Sequence, residues 1–392
     1  MRKATGLKIL DMTQKAEETA SGESITGDRK AFGGKVSEYR SPYERWKESE
    51  GIPTIRGLGV YNLYDLELTQ WASRGGSGAF INLMGTGGFN DAYVCEIPAG
   101  KSLNPIKHIY EETIYILTGR GATSVWLTED AKQTFEWAAG SYFAIPPNAS
   151  FQMHNGSGTE PTRYVAMTAA PRVIDTFKDL DFVFNNPYVF ANRFDGKEGY
   201  FAQSEAPDGK TWRTNFIADV ITAGGMASKA DHKTGRGVGV VGAGFEMVNS
   251  TMRSHSSSWP IGTYKMAHRH GPGIHVLILR GYGHSFMWKE EDDVHRVDWG
   301  PGSIFVPPEM WFHQHFNTGA EPVMFLAIGW GSEKPKEGGG AYIYTSVKEG
   351  GDNIMFEEED SQVHAAFEEA LAASGVSCQM GGFHPLCTVP KA

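Results

Sequence analysis

The chain has 392 residues, of which 40% are apolar and 21% charged, a composition typical of folded globular proteins rather than of disordered chains. The net charge of −10 argues against nucleic acid or an anionic membrane as the main partner. The sequence has no apolar run near the ~20 residues that span a bilayer and no apolar secretory signal at its start. We therefore expect a cytoplasmic protein of about two domains.

Glycine and aromatic residues are abundant, with 48 glycines and an aromatic fraction of 12%. Both favour a turn-rich β protein with an aromatic core. The cysteines Cys95, Cys378 and Cys387 are too few for a disulfide framework and do not predict a paired-thiolate metal site. We expect them to be reduced and chemically inert, with a tail metal site of Cys378, Cys387 and His384 as the alternative.

In chain order, the first predicted element is a helix over Pro42–Glu50, and short strands follow. The predicted strands are Ala92–Ile97, Ile114–Leu117, Gly121–Leu127, Ser141–Ile145, Tyr164–Ala169, Val276–Leu279, Gly283–Trp288, Ser303–Val306 and Val323–Ile328. The last predicted element is an amphipathic helix over Ser361–Ser374. Strands at this spacing, without helices between them, favour a sandwich or barrel over a parallel α/β sheet.

An internal repeat organises the chain. Residues 98–155 align with 260–317 without a gap, and 17 of the 58 positions are identical, mostly turn formers and large aromatic residues. The sequence therefore predicts a duplicated domain. The predicted segments are an N-terminal arm (1–78), a first repeat domain (79–172), a connecting segment (173–245), a second repeat domain (246–335) and a tail (336–392).

Three histidines of the second copy, His268, His270 and His313, are candidate metal ligands. Alternate residues of a strand share a face, so the first two would point into the same barrel, and a distant strand could bring the third opposite them. Three imidazoles bind a borderline divalent ion and leave coordination positions open for a substrate. The sequence therefore predicts a three-histidine site in the second domain.

The repeat resembles the two motifs of the cupin superfamily. In the second copy the matching residues are Gly262, His268, His270, Gly281, Gly302, Pro308, His313 and Asn317. The first copy matches at Gly100, His108, Glu112, Gly119, Gly140, Pro146 and Asn155. The resemblance implies an all-β bicupin, built from two jelly-roll barrels (double-stranded β-helices) with peripheral helices.

The resemblance also implies a fourth ligand, a glutamate, which the second copy lacks. Ile274 stands at that position in the ungapped repeat, although a one-residue shift would make His275 an additional ligand. The first copy keeps His108 and Glu112 but has other residues at the remaining ligand positions. We expect a degenerate first site and one metal in the second barrel.

Four further side chains are candidates for work around the metal. His315 shares strand parity with His313 and could move a proton or support a ligand. Arg253 and Arg280 could anchor a carboxylate, and Trp311 could line a substrate cavity.

A site of three histidines without glutamate resembles those of gentisate- and salicylate-type dioxygenases. The resemblance implies an Fe(II) enzyme that uses O2 to cleave a C–C bond of a small anionic, aromatic substrate, in a homo-oligomer. Mn, Ni or Zn would instead indicate an oxygen-independent lyase, decarboxylase or isomerase of the bicupin type. A third alternative is a binding or storage bicupin without activity.

Overall fold

The computed structural model describes residues 9–11, 40–206, 211–225, 228–229, 236–289, 294–329 and 345–389. The elements up to residue 86 are β1 (Ile9–Asp11), α1 (Pro42–Glu50), β2 (Thr54–Ile55), β3 (Gly59–Val60), β4 (Thr69–Trp71) and β5 (Gly76–Ile81), with a 3-10 turn at Met84–Thr86. Helix α1 has the predicted bounds. It begins where the Ser41 hydroxyl accepts from the Glu44 N–H, and it ends at Gly51.

From Asp91 to Thr168 the regular elements of the first repeat domain are all strands. They are β6 (Asp91–Ile97), β7 (Glu112–Thr118), β8 (Arg120–Trp126), β9 (Gln133–Ala138), β10 (Tyr142–Ile145), β11 (Ser150–Asn155) and β12 (Thr162–Thr168). One sheet has the order β10-β7-β12-β6-β5, and the facing sheet has the order β11-β8-β9. The two sheets close a jelly-roll barrel around an aromatic-rich core.

Between the two repeat domains lie short helices and strands. They are α2 (Ala170–Phe177), α3 (Leu180–Asn185), β13 (Ser204–Glu205), β14 (Thr211–Thr214), β15 (Phe216–Ile217), α4 (Val220–Gly225) and β16 (Ser228–Lys229). Strand β15 pairs with β10 of the first barrel, whereas β14 pairs with β17 (Val241–Glu246) of the second. The connecting chain therefore covers strand edges of both barrels.

The second repeat domain builds the same barrel. After β17 its strands are β18 (Arg253–Trp259), β19 (Ala267–His268), β20 (His275–Arg280), β21 (Gly283–Trp288), β22 (Val294–Trp299), β23 (Ile304–Phe305), β24 (Phe312–Asn317) and β25 (Val323–Gly329). Strands β18 and β24 lie 162 residues after β6 and β11, with identical lengths. The offset of the sequence repeat is thus also the offset of the fold.

The tail adds β26 (Asn353–Ile354) and α5 (Ser361–Ala373), with a 3-10 turn at Val347–Glu349. Strand β26 pairs with β19, and α5 packs its apolar face against the outer side of the second barrel. The helix confirms the predicted Ser361–Ser374 element, and Asp360 caps its N-terminus.

Both faces of the larger sheets are buried. Val94 and Leu277 lie in a cluster shared by the two barrels, whereas their neighbours Tyr93 and Ile278 lie inside their own barrels. This burial explains why the middle of each strand, 92–95 in β6 and 276–279 in β20, is continuously apolar instead of alternating. The outward faces of the two domains form one joint core.

The predicted all-β fold of two duplicated barrels with peripheral helices is confirmed. All nine predicted strands are present, each shifted by no more than one or two residues. Among the described residues, no helix has both the length and the apolar character needed to cross a bilayer.

Candidate metal centre

The structure brings His268, His270 and His313 together inside the second barrel. His268 pairs directly with His313 across β19 and β24. Their ring centroids are 4.1 Å apart, and the His270 ring lies 4.6 Å from that of His313. One ring nitrogen from each histidine falls within 4.8 Å of the others, so one ion could contact all three.

Backbone carbonyls fix the orientation of these three rings. Each Nδ1 lies at hydrogen-bond distance from a carbonyl oxygen. The carbonyls are those of Met266 at 3.3 Å, Gly271 at 2.8 Å and Trp311 at 3.1 Å. Because a carbonyl can only accept, Nδ1 carries the proton, and Nε2 keeps its lone pair for a metal. The donor set therefore fits a divalent ion.

Burial keeps the three rings neutral. Removal from water lowers the pKa of His268 and His313 well below the ordinary value, and the positive charge of Arg236 acts in the same direction. Burial also lowers the pKa of His270 to about 4. An ion entering near pH 7 would not have to displace protons from these ligands.

The residue at the fourth-ligand position depends on the alignment and is Ile274, just before β20, or His275, its first residue. The two side chains lie on opposite faces of the chain. Val276 pairs with Ala327 toward the barrel interior, but His275 pairs with Ile328 in the cluster between the barrels. Ile274 packs against the interior cluster. The structure therefore does not bring His275 to the three histidines, and an apolar side chain occupies the glutamate position.

His275 gives a direct test of this arrangement. It is fully buried, and neither ring nitrogen has a hydrogen-bond partner among the described residues. We expect His275→Leu to raise the free energy of unfolding by about 1–3 kcal/mol, because two unsatisfied polar atoms disappear, and to leave the metal content unchanged. Denaturant unfolding and elemental analysis would measure both. Loss of one ion per chain would instead make His275 a ligand.

His315 lies beside the three histidines without joining their cluster of ligand atoms. Its ring is 5.5 Å from that of His313, and its Nδ1 is 2.7 Å from the Ser285 hydroxyl. That hydroxyl also accepts from the Trp299 indole at 2.9 Å. These contacts hold His315 in one orientation.

The remaining predicted residues lie at the barrel rim. Arg253 is exposed on β18, and the Arg280 guanidinium donates to the Pro322 carbonyl at 3.2 Å. The Trp311 ring is half-buried and stacks on His295 with centroids 5.5 Å apart. The structure connects Trp311 to the site through its carbonyl, which accepts from His313.

Two cationic residues of the interior were missed by sequence reasoning. Lys265 is buried, its Nζ donates to the Ser257 hydroxyl at 2.7 Å, and it lies 4.8 Å from the ring centres of both Trp259 and Phe325. Arg236 exerts the positive charge that acts on the three histidines. Lys265 has no cupin motif position, and Arg236 lies outside the aligned repeat.

The repeat gives a signal that could have found Arg236. Arg74 lies 162 residues earlier, and the carbonyls of both arginines accept an equivalent bond, from the N–H of Asn104 at 2.7 Å and of Met266 at 2.5 Å. Arg74 is buried in the first barrel, where its guanidinium donates to the Tyr164 hydroxyl at 3.2 Å. An arginine therefore occupies the same place in each barrel.

In the first barrel, His108 and Glu112 are buried as a pair with 3.5 Å between Nε2 and a carboxylate oxygen. The carboxylate also accepts from the Tyr93 hydroxyl at 2.9 Å. The Phe151 ring takes the place corresponding to His313 and meets the His108 ring edge-on at 5.6 Å. In the described part of this barrel, no three ligand side chains converge.

A groove of about 1150 Å³ lies apart from the histidines, between the N-terminal arm and the second barrel. Its lining includes Leu58, Asp65, Tyr282 and Trp299, and none of the three histidines. The arrangement of donors, rather than the size of a cavity, therefore marks the candidate site.

Known proteins of two kinds are similar to parts of this chain. No family model matches the chain. Over 85 residues the chain is 34% identical to the glucose-6-phosphate isomerase of Thermococcus kodakarensis. This match covers 22% of this chain and 41% of that enzyme. The isomerase of Pyrococcus horikoshii is 30% identical over 87 residues, 22% of this chain and 42% of the relative. The chain thus spans about two-fifths of the length of these curated relatives.

Solved structures of Bacillus subtilis oxalate decarboxylase are also similar. One, concerned with the Mn(II) centres of that enzyme, has a TM-score of 0.45 and 14% identity, and the match covers 69% of this chain and 76% of the other. A mutant of the same enzyme has a TM-score of 0.46 and 13% identity, with the same coverage.

Proposed function

We propose that the chain is a metal-dependent isomerase or lyase that acts on a small anionic hydroxy-carbonyl compound without consuming O2. The observation that carries the proposal is the convergence of three unprotonated imidazole nitrogens in a barrel interior that also holds Lys265 and Arg236. Such a set can bind an ion, attract an anion and accept a proton.

His268, His270 and His313 would hold the ion, with Mn, Fe, Ni or Zn as candidates. A bound divalent ion would supply Lewis-acid polarisation of substrate oxygens. Among the described residues no carboxylate joins the ligand set, and Ile274 occupies the glutamate position. An anionic substrate would therefore meet largely uncompensated positive charge.

Lys265 is the candidate proton acceptor. Its amine faces the barrel interior between two aromatic rings. Its backbone N–H donates to the carbonyl of His315 at 3.1 Å, on the same strand as His313. Burial, and secondarily the charge of Arg236, lowers the pKa of this amine well below its ordinary value. A neutral amine could remove a proton from the carbon beside a carbonyl and return it to the neighbouring carbon.

Arg236 would attract the anionic group of the substrate. Its charge reaches all three candidate ligands as well as Lys265. In the first barrel Glu112 lies near Arg74, and its counterpart in the second barrel is Ile274. An apolar group thus replaces the carboxylate in the second barrel. A phosphate or carboxylate on the substrate would complement this charge.

The relatives support the choice of substrate class. The partial matches at 30–34% identity are named glucose-6-phosphate isomerases. A phosphorylated hydroxy-carbonyl compound combines the features that the interior favours, which are an anionic group and an acidic C–H next to a carbonyl.

The dioxygenase remains the second candidate, because the absence of a carboxylate ligand at Ile274 is the feature on which that resemblance depends. The two candidates differ in one measurable property, the requirement for O2. An oxygenase consumes O2 with its substrate, whereas a proton-transfer enzyme works anaerobically.

We expect the protein loaded with Mn, Fe, Ni or Zn to exchange substrate C–H for deuterium in D2O under argon. The panel would contain aldose and ketose phosphates and small hydroxy-carboxylates, followed by NMR, with an oxygen electrode in parallel. Turnover only in the presence of O2 would overturn the proposal in favour of the dioxygenase.

Lys265→Met should slow this exchange by about 10²–10⁴-fold while the metal stays bound, because the ligand set is intact and only the proton acceptor is gone. Lys289→Met, at an exposed position after β21, is the matched control and should behave as wild type. If Lys265→Met exchanged protons at the wild-type rate, Lys265 would not be the base.

A further inference from the structure

A second group of metal-type ligands lies outside the barrel interior, where the tail meets the second barrel. It consists of His364 and Glu368 on α5, and Cys378 and Cys387 in the segment that follows. One ligand atom from each of the four side chains lies within 4.8 Å of the others. Sequence reasoning treated the two cysteines as inert and gave no role to His364 or Glu368.

The tautomer of His364 is fixed by its neighbours. The Tyr264 hydroxyl donates to a Glu359 carboxylate oxygen at 2.8 Å, and its oxygen lies 3.1 Å from His364 Nδ1. Because the tyrosine proton is already used, Nδ1 must donate to the tyrosine oxygen, and Nε2 keeps a lone pair. A ring nitrogen held by a carboxylate-backed partner in this way is typical of metal-bound histidines.

That lone pair points into the group of ligands. His364 is 2% exposed, and in the described part of the chain no group donates a hydrogen bond to its Nε2. It lies 3.2 Å from a Glu368 carboxylate oxygen. Two ligands bound to one tetrahedral zinc at 2.0–2.1 Å would lie about 3.3 Å apart, so these two atoms already have that separation.

The two thiols complete the set. Cys378 Sγ and Cys387 Sγ are 3.2 Å apart, compared with about 3.7 Å for two sulfurs on one tetrahedral zinc. Cys378 is buried, whereas Cys387 is half-buried and Glu368 is exposed. The site is therefore open to an ion from solvent and needs an opening of only about half an ångström between the sulfurs.

We propose that His364, Glu368, Cys378 and Cys387 bind one divalent ion of the zinc class. Four protein ligands close the coordination sphere, so the ion has a structural role. It joins α5 to the chain segment that follows it, and His364 contacts the second barrel through Tyr264. Glu359, which supports His364 through Tyr264, also accepts from Gln314 at 2.5 Å, and Gln314 lies between His313 and His315. Hydrogen bonds thus connect the site to the strand that carries the candidate metal centre.

The test is the metal content of the full chain, purified with Zn²⁺ and under reducing conditions. We expect Cys387→Ser and Glu368→Gln to lose one zinc per chain relative to wild type, and Cys95→Ser, a buried cysteine of the first barrel, to lose none. In the Co²⁺-substituted protein, a thiolate-to-cobalt absorption band should be present in wild type and in His313→Ala, and absent in Cys387→Ser.

These measurements separate the two sites. Loss of the inner ion in His313→Ala, with the cobalt–thiolate band retained, would leave the tail site standing even if the proposed function failed. Equal zinc content in wild type, Cys387→Ser and Glu368→Gln would overturn the tail site. A disulfide between Cys378 and Cys387 in the protein purified under reducing conditions would also overturn it. Mass spectrometry would detect that disulfide as a loss of two hydrogens from the peptide that contains both cysteines.

Discussion

Replacing His313 with alanine is expected to lower metal affinity in the second barrel, and turnover with it, by at least about 100-fold. Loss of a partner that only supports a ligand already costs about 10–100-fold in metal affinity, and His313 would be a ligand itself. Its ring is the one closest to both other histidines, at 4.1 and 4.6 Å between centroids. Elemental analysis after dialysis, and the deuterium exchange rate, would measure the effect.

The duplicated barrel offers a matched control. His108 is the counterpart of His270 at the repeat offset and is buried, whereas His270 is half-buried. His108 pairs with Glu112, and no third ligand converges there among the described residues. We expect His108→Ala to leave the metal content unchanged. A wild-type metal content in His313→Ala, or loss of an ion in His108→Ala, would place the metal elsewhere.

A second large effect is expected in acid. The free energy of unfolding should fall steeply as the pH drops below about 6.5, because several histidines are buried in neutral form. Burial lowers the pKa of His275 and of His284 to about 3 in each case, from an ordinary value of 6.5. Below 6.5 the unfolded chain binds protons that the folded chain refuses, so protonation favours unfolding.

The size of this effect follows from linkage. Each such histidine removes up to about 1.4 kcal/mol per pH unit between its unfolded and folded pKa values, and His275 and His284 together remove about 2.7. Two pH units would thus consume about 5 kcal/mol, comparable to the whole stability of many domains. Asp91 opposes the trend, since burial raises its pKa to about 6, but it is one group against several.

Denaturant titrations at pH 7.5, 6.5, 5.5 and 4.5 would measure the slope. The double variant His275→Leu/His284→Leu should flatten this slope, because it removes two of the buried groups that titrate. The substitutions break no hydrogen bond of these rings among the described residues and leave the ligand cluster intact. A stability that is constant or rises toward pH 4.5 in the wild-type protein would contradict the prediction.

Sequence reasoning succeeded where a local pattern carries the information. The repeat, at an offset of 162 residues, placed turn formers and large aromatic residues at equivalent positions of both copies. The spacing of His268, His270 and His313 in the second copy indicated one converging group. Strand parity also indicated that His275 would face away from that group. These inferences depend on two-residue alternation and on motif spacing, which survive without knowledge of the packing.

Other groups could not be located in this way. Lys265 is a single lysine outside any motif, and only the closed barrel shows that Ser257, Trp259 and Phe325 surround it. Arg253 and Arg280 were predicted as anchors because arginine binds carboxylates, but a lone arginine carries no signal of direction. Arg236 is the one whose charge reaches the three histidines.

The sequence by itself determined the duplication, the all-β class and which histidines could share an ion, because strand periodicity and turn residues act over short distances. Tertiary structure decided which charges and thiols meet. Lys265 is buried inside the barrel. The Sγ atoms of Cys378 and Cys387 lie 3.2 Å apart beside His364. Such contacts depend on how barrel and tail pack, and burial then lowers the pKa of His268, His313 and Lys265.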